Sequence, residues 1–465
     1  MAAPRRTDLL LDSVTRLLRV GASANLLNLL QKQHPTDVAE ILRRLQDHYR
    51  RMAFDALAEH NPRLAMQALS ELEPDQGAAL LIHRSADDVA GLLRELPMDD
   101  IAAVLDWLPE DLSGRVSDLL RGPDYAAVGD LLQHREWTAG RIMNPKVFAL
   151  HEDQTAGEAV AALQQAGGVE MVFYLYVTDD RNHLVGVVSL RRLLLVPPQT
   201  PLKRIMSTDM VSVSVDTEQE EVARLVAKYN VLAIPVVDSE NKIVGTVTVD
   251  DVIDVIKEET TEDIQKLGGL EALDEPYVDT PFATLVKKRA RWLVVLFLGE
   301  MLTATAMGYF QHEIERAVVL AVFIPLVISS GGNSGSQAAS LMIRALAVGE
   351  VTVRDWWRVM RREILSGLAL GGILGAVGLV RITIWEQLFG TYGAQWVPVA
   401  FTVGLSLVGV VLWGTLAGSM LPFGLKRLGA DPATSSAPFV ATLVDVTGLI
   451  IYFSIAAVVL RGHLL

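Results

Sequence analysis

The chain has 465 residues, with 55 Asp plus Glu against 41 Lys plus Arg, a net charge of −14 and a mean hydropathy of +0.31. The charge is unevenly divided: residues 1–286 carry 46 acidic and 27 basic side chains, whereas residues 287–465 carry 9 and 14. An acidic polar half joined to a slightly basic apolar half argues against nucleic acid as a partner, and the absence of cysteine excludes disulfides and thiolate metal sites.

The opening MAAPRRTDLLLDSVTRLL lacks an uninterrupted apolar run followed by a cleavage site, so no signal peptide is expected. Residues 1–137 read as an all-α array. From His60 to Leu120 a twelve-residue rhythm sets LEPD, RSAD, LPMD and LPED in phase, with Asp75, Asp87, Asp99 and Asp111 on one period. Pro suits the first position of a helix and Asp its first turn, and the intervening DIAAVLDWL is amphipathic at helical spacing. Short helices stacked so that each neighbour completes the core are the expected result. These aspartates read mainly as helix-start residues. Asp99, doubled by Asp100, is the one suited to metal contact.

Residues 138–200 and 201–259 form an internal repeat. RIMNPKVFALHEDQTAGEAVAAL from Arg141 is echoed 63 residues on by RIMSTDMVSVSVDTEQEEVARL, and LVGVVSLRRLL by IVGTVTVDDVI. Each unit reads strand, helix, apolar strand, turn, strand, helix. The pattern resembles a tandem pair of CBS motifs, which implies one α/β module with two clefts able to hold an adenine nucleotide. The acid that holds the ribose in that family is matched in the second unit by Asp251, with Thr248 ahead of it. In the first unit Ser189 is followed by Arg192 where the acid would stand. ATP binding is therefore an expectation for one cleft.

The next helix is strongly acidic. TVDDVIDVIKEETTEDI places Asp250, Asp254, Glu258 and Glu262 four apart, joined by Asp251, Glu259 and Asp263, with Lys257 and Lys266 as the nearby bases. Like charges at i,i+4 repel by a few tenths of a kcal/mol, roughly, per pair. A row of carboxylates suits hard cations such as Mg²⁺, and equally an ordinary solvated face.

Five apolar stretches, near 292–310, 317–343, 364–386, 396–422 and 437–460, are long enough to span a bilayer. Basic residues cluster before the first, between the second and third, and between the fourth and fifth. This predicts a cytoplasmic N-terminus and an outside tail at Arg461–Leu465. The second span is interrupted by SSGGNSGSQAAS, whose Asn333 and Gln337 share a face and suit either a packing seam or a lined path. Asp445 is the sole ionisable group of the last span, where a carboxylate costs ~2.5–3.5 kcal/mol on insertion scales. Holding or passing a cation is the task that fits it. Glu300, near the centre of the first span, fits a second ion ligand, a proton site or a neutral acid bonded to a neighbouring helix.

In this order the parts resemble the MgtE family of magnesium channels and transporters, through GGNSGSQ at 331–337, ATLVDVTG at 441–448 and TVDDVIDVI at 248–256. The resemblance covers nearly the whole chain: helical N domain (1–137), CBS pair (138–200, 201–259), connecting segment (260–286) and five-span membrane domain (287–465). It implies a homodimer in the inner membrane, with its pore on the two-fold axis. Mg²⁺ would be held in the pore by Asp445 with backbone oxygen of Ala441 nearby, in surroundings that include Gly448 and Asn333. It further implies magnesium sensing at Asp251, Asp254, Glu258, Glu259 and residues around Glu220, with a helix over roughly 260–284 acting as plug; Asp250 in the acidic row and Asp99 remain metal candidates from the residues themselves. Asn230 stands where an aspartate is expected. A carrier of Mn²⁺ or Co²⁺, or a membrane-anchored sensor without flux, is the competing reading; no His cluster, nucleophile elbow or phosphate loop suggests an enzyme.

Overall fold

The structure is a computed structural model that describes residues 6–120, 122, 125–166, 173–273, 277–278, 280–393 and 395–461. It divides into two compact units, residues 1–257 and 258–465.

In the first unit the twelve-residue rhythm becomes the helices Pro74–Leu81, Ala86–Leu93, Met98–Trp107 and Glu110–Leu119. Pro74 opens one of them, and the Ser85 hydroxyl caps another by accepting from the Asp88 N–H. Their inward stripes, including Leu81, Leu93, Ile101 and Val116, are fully buried. Gly77 permits a close approach, because a Cβ there would stand 2.7 Å from Trp107 Cζ3. The same core runs on into Met143, Val222, Ile234 and Val252, so the helical array and the second repeat share one interior. The first repeat has its own, around Leu175, Val188 and Leu193.

The repeat is reproduced strand for strand. β1 (Ala149–His151), β2 (Tyr174–Thr178) and β3 (Leu184–Ser189) form one sheet, and β4 (Val213–Ser214), β5 (Ala233–Val237) and β6 (Ile243–Thr248) the other. In each, the first pair is parallel and the second antiparallel, with a register shift at Val177/Thr178 and at Val236/Val237. Both hairpins turn through an asparagine at positive φ, Asn182 and Asn241. Both are braced by an aspartate accepting two backbone N–H groups: Asp179 from Arg181 and His183, Asp238 from Glu240 and Lys242. The motifs interlock reciprocally, since Gly186 makes room for Met206 of the second and Gly245 for Met143 of the first.

The acidic helix α1 (Val249–Leu267) follows β6 without a break, and the division between the units falls within it. The expected separate helix over 260–284 is therefore corrected. Its first residues are the last turns of α1, which stops at Gly269 (φ +72), a left-handed position that favours glycine. Among the described residues, five helices are long and apolar enough to cross a membrane. They are built around α2 (Phe282–Tyr309), α3 (Ile324–Ala347), α4 (Trp356–Phe389), α5 (Trp396–Arg427) and α6 (Ala437–Val459). The tail beyond Arg461 lies outside the described residues.

The Gly-rich stretch does not interrupt its span: α3 runs straight through residues 329–340. The reason is packing. A Cβ at Gly335 would stand 2.8 Å from the Gly414 carbonyl oxygen of α5 and 2.8 Å from Val440 of α6. The buried Ser334 and Thr415 hydroxyls join at 2.8 Å across the same seam. Gly371 and Gly375 of α4 lie equally close to Val408 and Gly404 of α5. Helices in lipid associate through such small-residue contact and interhelical hydrogen bonds, without a hydrophobic drive between them. By contrast α2 buries no side chain fully and meets α6 along one edge.

Candidate cation site

Asp445 sits in the middle of α6, half-buried, with Ala441 one turn before it on the same face. Pro438 and the Ser436 hydroxyl, which accepts from the Phe439 N–H, start this helix. The Gly-rich stretch of α3 faces Ala441: a Cβ on Gly332 would lie 3.6 Å from that of Ala441, and Ser336 Oγ donates to the Ala437 carbonyl at 3.1 Å. Asn333 and Gln337 point away from the helix packing and are exposed in the single chain. Gly448 is buried, with Ile328 and Val410 each 3.1 Å from its would-be Cβ, so it serves helix packing within the chain. Across from Asp445, α2 brings up Glu300, and the two carboxyl groups lie within hydrogen-bonding reach of each other.

The acidic positions are spread out rather than gathered. Thr248 stands at the head of α1: its hydroxyl donates to Asp251 Oδ2 at 2.6 Å and to Asp250, and its backbone N–H donates to Asp251 at 3.3 Å. Thr248 and Asp251, the expected ribose-holding pair, are thus brought together. In the first repeat Ser189 instead caps its helix by accepting from the Arg192 N–H. Asp254 is exposed and paired with Lys257 at 2.6 Å. Glu258 is exposed and Glu259 half-buried in the second unit. Glu220 is exposed in the first turn of Gln219–Tyr229, and Asp99 lies half-buried in the first turn of Met98–Trp107. Among the described residues no three His, Asp or Glu side chains converge as a ready-made metal cage. Side chains successive on a charged helix fan outward under mutual repulsion. Asn230 has a structural task, closing Gln219–Tyr229 in the left-handed conformation that asparagine tolerates.

Sequence reasoning missed Asp431. This residue, in the loop before α6, accepts from Lys266 at 2.6 Å, while Lys266 also pairs with Glu262 at 2.5 Å. Burial opposes the charge on Lys266, but hydrogen bonds to Asp431 and Glu262 outweigh it and hold the ammonium above its usual range. Asp263 beside it is pushed up, first by burial and then by Asp431. Further ties hold the segment after α1 to the start of α2: Arg291 grips both oxygens of Glu271 at 2.9 and 3.0 Å, and Lys288 donates to the Ala272 carbonyl. Trp292 Nε1 then donates to Ser436 Oγ at 3.2 Å, reaching the start of α6. The one sequence signal for this knot was Lys266, a base within an acidic run.

Five apolar helices long enough to cross a membrane, preceded by a CBS-like repeat, define a multi-pass membrane protein. Residues 324–455 match the family described as "Divalent cation transporter", 139–198 and 202–258 match the CBS domain, and 33–136 match the MgtE intracellular N domain. The "Magnesium transporter MgtE" of Thermus thermophilus is 43% identical over 331 residues, covering 71% of this chain and 72% of the relative. That of Enterococcus faecalis is 34% identical over 331 residues, covering 71% of each. Among solved structures, the cytosolic domain of the Mg²⁺ channel MgtE in complex with ATP is 36% identical, with a TM-score of 0.50, covering 53% of this chain and 99% of that one. The chain belongs to the MgtE family.

Proposed function

We propose that the protein carries Mg²⁺ across the inner membrane along a path that passes Asp445, and that Mg²⁺ on the cytoplasmic side closes it through the acidic residues of α1. The observation that carries the reading is the half-buried carboxylate of Asp445, inside the stretch matched to divalent cation transporters. Mg²⁺ demands octahedral oxygen coordination and gives up its waters reluctantly. One carboxylate with neighbouring backbone oxygen at Ala441 suits contact with a hydrated ion, and a site of few direct ligands also lets the ion leave. The exposed amides of Asn333 and Gln337 fit a water-lined face, because polar side chains directed at lipid are costly. A homodimer would bring two such faces together about a two-fold axis.

Gating follows by linkage. Without Mg²⁺ the carboxylates from Asp250 to Glu259, with Glu220 and Asp99 as further candidates, repel; with Mg²⁺ bridging them the closed arrangement is favoured, by as much as the ion binds that state better. The basic flanks of the spans support a cytoplasmic N-terminus and an outside C-terminus. The Thr248–Asp251 pair fits the ribose of ATP in the second cleft, whereas Arg192 leaves the first without its acid. ATP there would act as a regulatory ligand.

The test is Mg²⁺ flux in proteoliposomes, wild type against Asp445→Ala. Flux falling to background supports the reading, and undiminished flux refutes it. Because the matched description covers divalent cations in general, Mn²⁺ and Co²⁺ are the competing cargoes, to be ranked in the same assay.

A further inference from the structure

We infer that Glu300 supplies a second carboxylate to the cation site at Asp445, so that each chain presents two negative charges to the passing ion and selects divalent over monovalent cations. The inference rests on the assignment of Asp445 to the ion path. Glu300 lies ahead of the residues matched to divalent cation transporters, 324–455, so that match says nothing of it.

Three observations converge. First, the two carboxyl groups meet: Glu300 from α2 and Asp445 from α6 stand side chain to side chain within hydrogen-bonding reach. Second, the local sequence makes the meeting possible. Gly299 stands beside Thr442, whose Cγ2 would be 3.0 Å from a Cβ at 299, so a larger residue would push this part of α2, and Glu300 with it, off α6. Third, neither span contains a compensating base. From Trp292 to Gln311 and from Ala437 to Leu460 there is no Lys, Arg or His.

Two carboxylates side by side in an apolar slab repel strongly when both are charged, and burial magnifies the effect. A cation between them removes the repulsion. A divalent ion cancels both charges, whereas a monovalent ion leaves one uncompensated in a medium that penalises net charge. Carboxylate oxygens are also the ligand type that hard divalent cations prefer. Glu300 remains exposed on its outer side, so an ion can reach the pair without displacing packed side chains. Glu300 is therefore a specificity-determining residue.

The experiment uses the full chain in proteoliposomes, comparing wild type, Glu300→Gln, Glu300→Asp and Asp445→Asn, with Mg²⁺ flux measured over a concentration series with and without excess K⁺. The expected result for Glu300→Gln is a half-saturating Mg²⁺ concentration raised fivefold or more and inhibition by K⁺ that wild type resists, with Glu300→Asp recovering part of both. Asp445→Asn, which tests the underlying assignment, abolishes flux. If it does so while Glu300→Gln keeps wild-type half-saturation and K⁺ resistance, the inference is overturned and the assignment stands. Undiminished flux in Asp445→Asn overturns both. Because the chain has no native cysteine, Glu300→Cys with Asp445→Cys gives a second measurement, independent of transport. Cd²⁺ bound by the double variant in detergent tenfold or more tightly than by either single variant supports the pair, and equal Cd²⁺ affinity in all three overturns it.

Discussion

Lys266, in the last turn of the acidic helix, donates to Asp431, which lies 165 residues further along the chain, immediately before the final membrane helix. Glu262 holds the same ammonium from within the helix, so Lys266 bridges a carboxylate of α1 to a carboxylate of the membrane unit. Both partners of the longer contact are about one-third exposed, so solvent screening keeps it modest, at about 1 kcal/mol or less.

Replacing Lys266 by Ala removes that bridge and leaves Glu262, Asp263 and Asp431 facing one another without a base. The end of α1 should then open more often, by about fivefold if the contact is worth about 1 kcal/mol. Faster amide exchange over residues 258–267, with exchange in α5 unchanged, is the expected reading. Lys266→Arg, which keeps the charge, should restore protection. Unchanged exchange in Lys266→Ala would show that the bridge contributes nothing to docking.

The acidic row gives a second expectation. Proteolysis within residues 250–275 should slow in millimolar Mg²⁺, and this protection should vanish when Asp251, Asp254, Glu258 and Glu259 are neutralised together. Equal digestion with and without Mg²⁺ in the wild-type chain would sink the sensing role of α1.

Nucleotide binding should depend on one cleft. Asp251→Ala removes a charged acceptor already paired with Thr248, and charge-assisted hydrogen bonds are worth about 1.5–3 kcal/mol. Calorimetry of ATP binding to the full chain should show a loss of about tenfold or more. Arg192→Ala should change it little. A comparable loss from Arg192→Ala would place the nucleotide in the first cleft.

Acid should loosen the first hairpin. Asp179 is lowered to about 2, first by the hydrogen bond from His183, against the opposing effect of burial, with the backbone N–H groups of His183 and Arg181 adding to the lowering. A carboxyl whose folded value is depressed contributes stability that is complete above its ordinary value and lost as pH falls through the folded one. The contribution of Asp179 should therefore fade between about pH 4 and pH 2. Asp179→Asn should show, at neutral pH, the hairpin exchange that wild type reaches only in acid. A variant with wild-type exchange throughout would assign the brace to the backbone turn itself.

Much of this architecture was legible because its signals are local. The twelve-residue rhythm, the duplicated RIM motifs and the apolar spans each report a periodicity that a helix, a strand or a bilayer imposes directly. The duplication even carries through to the paired Asn182/Asn241 turns. Two expectations failed, each for its own physical reason. Glycine's low helix propensity suggested a break in the second span, but close packing against α5 keeps α3 helical, and propensity is the weaker term. The separate connecting helix failed because α1 simply continues from β6 until Gly269 ends it. Asp431 and the meeting of Glu300 with Asp445 were invisible because both arise from contacts between distant parts of the chain, which no local pattern encodes. The carboxylates of α1 were legible as a row, yet the single chain does not gather them into a cage.

The glycine contacts between α3, α4 and α5 bear on motion as well as packing. Backbones that touch cannot slide past one another without collision, so these three helices form a single stiff block. Against that block packs α6, whose head follows the Asp431 loop that Lys266 holds and whose middle carries Asp445. Gly331 and Gly335 of α3 press on Val444 and Val440 of α6, so a displacement at Lys266 reaches the stiff block together with the helix that bears the carboxylate.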